Sequence, residues 1–343
     1  MPIKKSLSNS ISITNACSKV HSKKQILIIS PTSNENFMKG ETIILKAVVT
    51  STRRTSKSQL VWVSNKDGRL GSGSLLKPNH LSPGHHIIMV SGYGTRARIP
   101  ITIFQDLWAL YQSPMSLHEI CCIMNDFAMN WIDDSVSGER WKKYEPPKFD
   151  QTSTDPSKLV FIAKLRVLKH QHFDQPLPFT SGKTIYAHLV EYSKNINLRL
   201  DCDVSYSGGG TLSLDRSISV WDARKSATPS EPNLCKKPFT SPVLWMYIHS
   251  LYLLVHECRH NMPYDPSHTT CGGVGNMDEK LEGGSGHAWA AMYLMWIYKY
   301  GSYDPPFIKN EAKAVATILL KSRFCSIPTH SNPKVQAIIK ELI

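Results

Sequence analysis

A chain of 343 residues, 41% hydrophobic and 20% charged, has the composition of a folded protein with more than one domain. Its formal net charge of +13 favours acidic contacts, yet no lysine and arginine stripe interleaved with aromatic residues marks a nucleic-acid surface. No apolar run approaches the ~20 residues needed to span a bilayer, and eight cysteines without a CxxC pair argue against a disulfide scaffold or a four-cysteine zinc site.

Residues 1–24 are rich in serine and lysine and lack a continuous apolar stretch. They predict a disordered tail and make a poor secretory signal, which leaves the export route and localisation open, with a cytoplasmic or non-classically exported protein as the reading. From 25 to 104 the texture changes. Short β-branched runs at 26–29, 42–50, 60–63, 87–90 and 99–104 alternate with Pro, Gly and Asn turns, the spacing of a small antiparallel sandwich. Trp62 falls in mid-strand, where a large aromatic fills the space between two sheets. Asp67-Gly68 and Pro83-Gly84 are turn dipeptides, glycine supplying the positive φ that a tight turn needs.

Those residues also carry a likeness. Pro31, Phe37, Gly40-Glu41, Leu60-Val61-Trp62, the run Asp67-Gly68-Arg69-Leu70-Gly71-Ser72-Gly73 and Leu81-Ser82-Pro83-Gly84-His85-His86 resemble a bacterial Ig-like (PKD-like) module. The resemblance implies a spacer or adhesion unit, not catalysis.

Residues 105–343 predict an α+β domain. Helical periodicity runs through 107–132, strands are expected at 196–206 and 217–221, and the Pro, Ser and Lys-rich stretches 142–157 and 225–240 read as loops. Ser241-Pro242 is a helix start, with serine as the N-cap and proline where its missing N–H is no loss. Leu244, Ile248, Leu251 and Val255 then recur at helical spacing up to Pro263.

The last turn of that helix reads His256-Glu257-Cys258-Arg259-His260. Histidines at i and i+4 share one helix face and can place ring nitrogens ~2.0–2.1 Å from one Zn²⁺. Glu257, beside the first histidine, then serves as the base that activates water at the metal. The segment resembles the H-E-x-x-H signature of zincin metallopeptidases. That resemblance implies a zincin-like catalytic domain over 105–343, a zinc cofactor and hydrolysis of a protein or peptide substrate. The bland alternative is a helix end whose histidines meet the negative pole of the helix dipole.

A catalytic zinc needs a third protein ligand. The metzincin pattern does not fit, because Asn261-Met262-Pro263 replaces its glycine turn and His268 falls two residues late. Eighteen residues separate His260 from Glu279, the aminopeptidase-type gluzincin spacing. Glu282 is nevertheless preferred, because Gly283, Gly284 and Gly286 let an acidic helix opening at Asp278 approach the histidine helix closely. Asp278 is then a carboxylate behind a ligand histidine. Glu279, Asp278, His268 and Asp265 stay open as ligands, and His287 and Tyr264 as oxyanion donors. Arg259 is expected to pair with an acid such as Asp278, and Cys258 to be core. Two rival functions remain: a surface-binding or adhesion protein with a structural or degenerate zinc site, and a basic protein held to nucleic acid or another anionic surface.

Overall fold

The computed structural model describes residues 25–50, 60–133, 156–201, 208–212, 217–223, 244–263, 280–284, 286–324 and 328–343. The predicted tail over 1–24 and the loops at 142–155 and 225–240 lie outside the described residues. Two compact units divide the chain. One is drawn from residues up to Glu35, Thr42–Pro78 and His86–Ile101, the other from Asn36–Glu41, Asn79–His85 and Thr102–Ile343.

Among the described residues eight strands come first: β1 (Gln25–Ser30), β2 (Glu35–Met38), β3 (Leu45–Thr50), β4 (Val61–Ser64), β5 (Gly68–Ser72), β6 (Leu75–Leu76), β7 (Gly84–Gly92) and β8 (Thr95–Phe104). They form a three-stranded sheet in the order β1-β3-β6 and a five-stranded sheet in the order β2-β8-β7-β4-β5. Side-chain alternation sorts the residues. Ile26, Leu45 and Ala47 point inward from the first sheet, and Trp62, Ile88, Val90 and Ile101 from the second. Trp62 is fully buried opposite Val90, and its indole N–H donates to the Gly73 carbonyl at 2.9 Å. Gly68 takes φ +73° in the β4–β5 turn, the left-handed backbone expected of Asp67-Gly68. On the outer face of the three-stranded sheet Leu27, Ile29, Val48 and Leu75 are exposed, with Leu27 directly opposite Val48.

The second unit is α+β. Its helices are α1 (Leu107–Gln112), α2 (Leu117–Asp126), α3 (Pro156–His170), α4 (Ile185–Tyr192), α5 (Leu244–His260), α6 (Gly286–Tyr300), α7 (Pro306–Ser322) and α8 (Pro333–Leu342). Strands β9 (Ala128–Asp133), β10 (Asn195–Asp201), β11 (Gly208–Leu212) and β12 (Ser217–Ala223) form a sheet in the order β11-β12-β10-β9. The inner strand β10 runs parallel to β9 and β12, while β11 is antiparallel to β12.

The helical periodicity over 107–132 resolves into α1, α2 and, beyond them, the strand β9. Pro114 cannot continue a helix, and Asp106 and Ser116 cap two separate starts, Ser116 completing a capping box with Glu119. Arg166 of α3, almost wholly buried, ties the two pieces together. Its guanidinium donates to the Leu110 carbonyl and the Ser113 hydroxyl, each at 2.8 Å, and pairs with Glu119 at 2.9 Å.

α6 is the axis of the unit. Every residue from Ala288 to Ile297 is buried, so this helix is apolar all round and packs against both α5 and α7. Among the described residues no helix is long and apolar enough to cross a membrane.

Candidate metal centre

The end of α5 lies against the start of α6. Leu251, Leu254, Val255 and Cys258 of α5 are core residues, which fixes the rotation of the helix. The four-residue step then sets His256 and His260 on a common face. Their Nε2 atoms are 3.2 Å apart and their ring centroids 4.9 Å apart at 73°. Glu257 is 3% exposed and its Oε1 lies 3.9 Å from His256 Nε2. One ligand atom from each of His256, Glu257 and His260 lies within 4.8 Å of the others.

Two nitrogens on adjacent corners of a tetrahedral zinc, each ~2.05 Å from the ion, stand about 3.3 Å apart. The observed 3.2 Å therefore suits two donors to one ion; it also suits an N–H···N bond between the rings. Burial pushes the Glu257 carboxyl up to about 8. A carboxyl in that state gives up its proton readily once a cation arrives beside it, a property useful in a base.

The start of α6 forms the neighbouring wall. A Cβ placed on Gly286 would stand 2.7–2.8 Å from the Cε1, Cδ2 and Cγ atoms of His256, so the backbone lies directly on that ring. His287 meets the same ring at 4.4 Å between centroids and 62° between planes. Arg259 sits with its guanidinium carbon 5.4 Å from the centre of the Trp289 ring, whereas Asp278, its expected acidic partner, lies outside the described residues. Cys258 is buried, as expected, and burial raises its thiol to about 12, opposed by a hydrogen bond with Ser193. Asn261 donates to the Ser193 hydroxyl at 3.0 Å, which anchors the end of α5 to the end of α4.

Glu282, the preferred third ligand, is not brought to this cluster. Residues 281–284 form a turn and α6 begins only at Gly286, so Glu282 does not ride on a helix face opposite the histidines. Its side chain is exposed, and a hydrogen bond from Ser331 holds the carboxyl below its ordinary range, helped by nearby His330. Asp265, His268, Asp278, Glu279 and Tyr264 lie outside the described residues. Sequence reasoning overlooked Gly286 as a wall of the site. The Gly283-Gly284-x-Gly286 run was its signal, read as permission for close helix approach but aimed at Glu282.

No protein-family model matches the chain, and no curated protein does. Among solved structures, the fibronectin(III)-like modules of Clostridium thermocellum CbhA are similar to 23% of this chain and are themselves 96% covered. The likeness stands at 21% identity and a TM-score of 0.21.

Proposed function

We propose that this chain is a zinc-dependent hydrolase of peptide bonds whose working segment is His256 to His260. The supporting observation is the 3.2 Å separation of two imidazole nitrogens beside a buried carboxyl. His256 and His260 would hold the ion, with a further ligand still to be assigned. Zinc in that position supplies Lewis acidity toward the scissile carbonyl and lowers the pKa of water to about 7. Glu257 takes the proton from the attacking water and returns it to the leaving amine, with its carboxyl kept close to neutral poise by burial.

The test is metal content by elemental analysis. Wild-type protein should retain one zinc per chain after dialysis, and His256→Ala and His260→Ala should each lose it. Zinc retained by both variants would remove the reading.

A second reading, a surface-binding protein, is favoured by the exposed aliphatic face of Leu27, Ile29, Val48 and Leu75 on a unit that is strongly basic in sequence. It predicts retention on anionic vesicles that Leu27→Ser with Val48→Ser abolishes and that Glu257→Gln leaves untouched. Absence of retention by the wild type would remove it.

A further inference from the structure

We infer that Gly286 is a positioning residue for the candidate metal centre: its missing side chain lets the first turn of α6 lie on the His256 imidazole and fix the plane of that ring. The inference rests on the metal reading above and deepens it.

Three ring atoms, Cε1, Cδ2 and Cγ, stand within 0.1 Å of the same distance (2.7–2.8 Å) from a Cβ built on Gly286. Those atoms lie on both sides of the ring, so that Cβ would point into its face. A methyl group there has no room, because real Cβ contacts essentially never fall below 3.0 Å. Backbone conformation does not explain the glycine. Gly286 is the first residue of α6, a helical position that L-residues adopt freely and where alanine is the better helix former. Packing against His256 is the remaining reason.

The contact constrains what matters for a ligand. His256 is bounded by Gly286 on one face, by the His287 ring at 4.4 Å and by the His260 ring at 4.9 Å. Neighbours on these sides oppose rotation of the imidazole about its Cβ–Cγ bond. The orientation retained is the one that sets its Nε2 3.2 Å from that of His260. Partners that orient a ligand histidine typically change metal affinity 10–100-fold when altered, and a ring pressed from its face should be displaced by a single methyl group.

The test combines zinc affinity, measured by competition with a chromophoric chelator, with thermal unfolding of the metal-free protein. Gly286→Ala should weaken zinc binding at least tenfold and lower the metal-free Tm. In a His256→Ala background, where the ring is gone, the same substitution should no longer lower the Tm, a coupling that a general helix defect would not show. If Gly286→Ala alone fails to fold, recovery of a cooperative transition in Gly286→Ala/His256→Ala supports the contact, and failure of that double variant to fold overturns it. An equal Tm loss in both backgrounds, or wild-type zinc affinity in Gly286→Ala, overturns the positioning role alone. A wild-type protein without zinc affinity instead overturns the metal reading on which it rests.

Discussion

A carboxyl held near pKa 8 by burial is neutral at neutral pH until a cation sits beside it. Burial thus favours the neutral form of Glu257, and a base at this position would need a neighbouring cation to ionise it. His256 is enclosed by Gly286 and His287, and Arg259 lies over Trp289. At this scale the sharpest contrast is with Glu282, whose carboxylate is exposed and hydrogen-bonded by Ser331. Glu282→Ala should leave zinc content and affinity unchanged, measured by the same chelator competition; loss of the metal would restore it as a ligand. The pairing of His256, Glu257 and His260 was legible in the sequence because a helix maps i and i+4 onto one face without knowledge of the rest of the fold. A third ligand was not, because that position depends on how a separate segment returns to the helix, and sequence spacing alone does not specify the return.

Elements divide along the same line. The strands of the first unit were readable because their alternation and turn dipeptides are local signals. β1, β3, β4, β7 and β8 coincide with the predicted runs, and Trp62 occupies the expected interior. The short strands β2, β5 and β6 were missed, since two to five residues carry too little period to stand out. α6 was placed too early, because Asp278 to Glu282 reads as a good first turn, whereas the chain makes a turn at 281–284 before the helix begins. Its all-round apolar surface fits its central position better than any amphipathic pattern would. The assignment of strand faces has a direct consequence for stability. Trp62→Ala should cost about 3–5 kcal/mol by leaving a cavity between the sheets. Leu27→Thr and Val48→Thr, on the outer face, should each stay within about 0.5 kcal/mol in denaturant titrations. A large loss from the outer pair would mean that this face is covered.

Across the whole second unit, stability should depend on pH through a group remote in sequence from the candidate metal centre. Asp304 is buried, and burial raises its carboxyl to about 7, against a hydrogen bond from Gln171 and the Lys309 charge and together with the Asp106 charge. Gln171 in turn accepts from the Tyr293 hydroxyl, and the Gly301 backbone lies close against the carboxyl, since a Cβ built there would stand 2.2 Å from Asp304 Oδ2. The folded pKa lies above the ordinary 3.8, so the folded state holds a proton that the unfolded state releases. Asp304 thus contributes most below about pH 4, and its contribution is lost as the pH rises toward 7. His170, lowered to about 4 by burial and by Arg166, acts in the opposite sense over pH 4–6.5. The comparison should therefore be made between variants. Asp304→Asn should match the wild type near pH 4 and exceed it by several degrees in Tm at pH 8; a constant difference across that range would contradict the assignment. The central claim, that the end of α5 is a hydrolytic metal site, is tested most directly by Glu257→Gln assayed in parallel for zinc and for cleavage of a quenched fluorescent peptide library. Both proteins should carry one zinc per chain, the wild type should cleave, and the variant should be at least 100-fold slower. Equal cleavage by the two proteins, or none by zinc-loaded wild type, would contradict it.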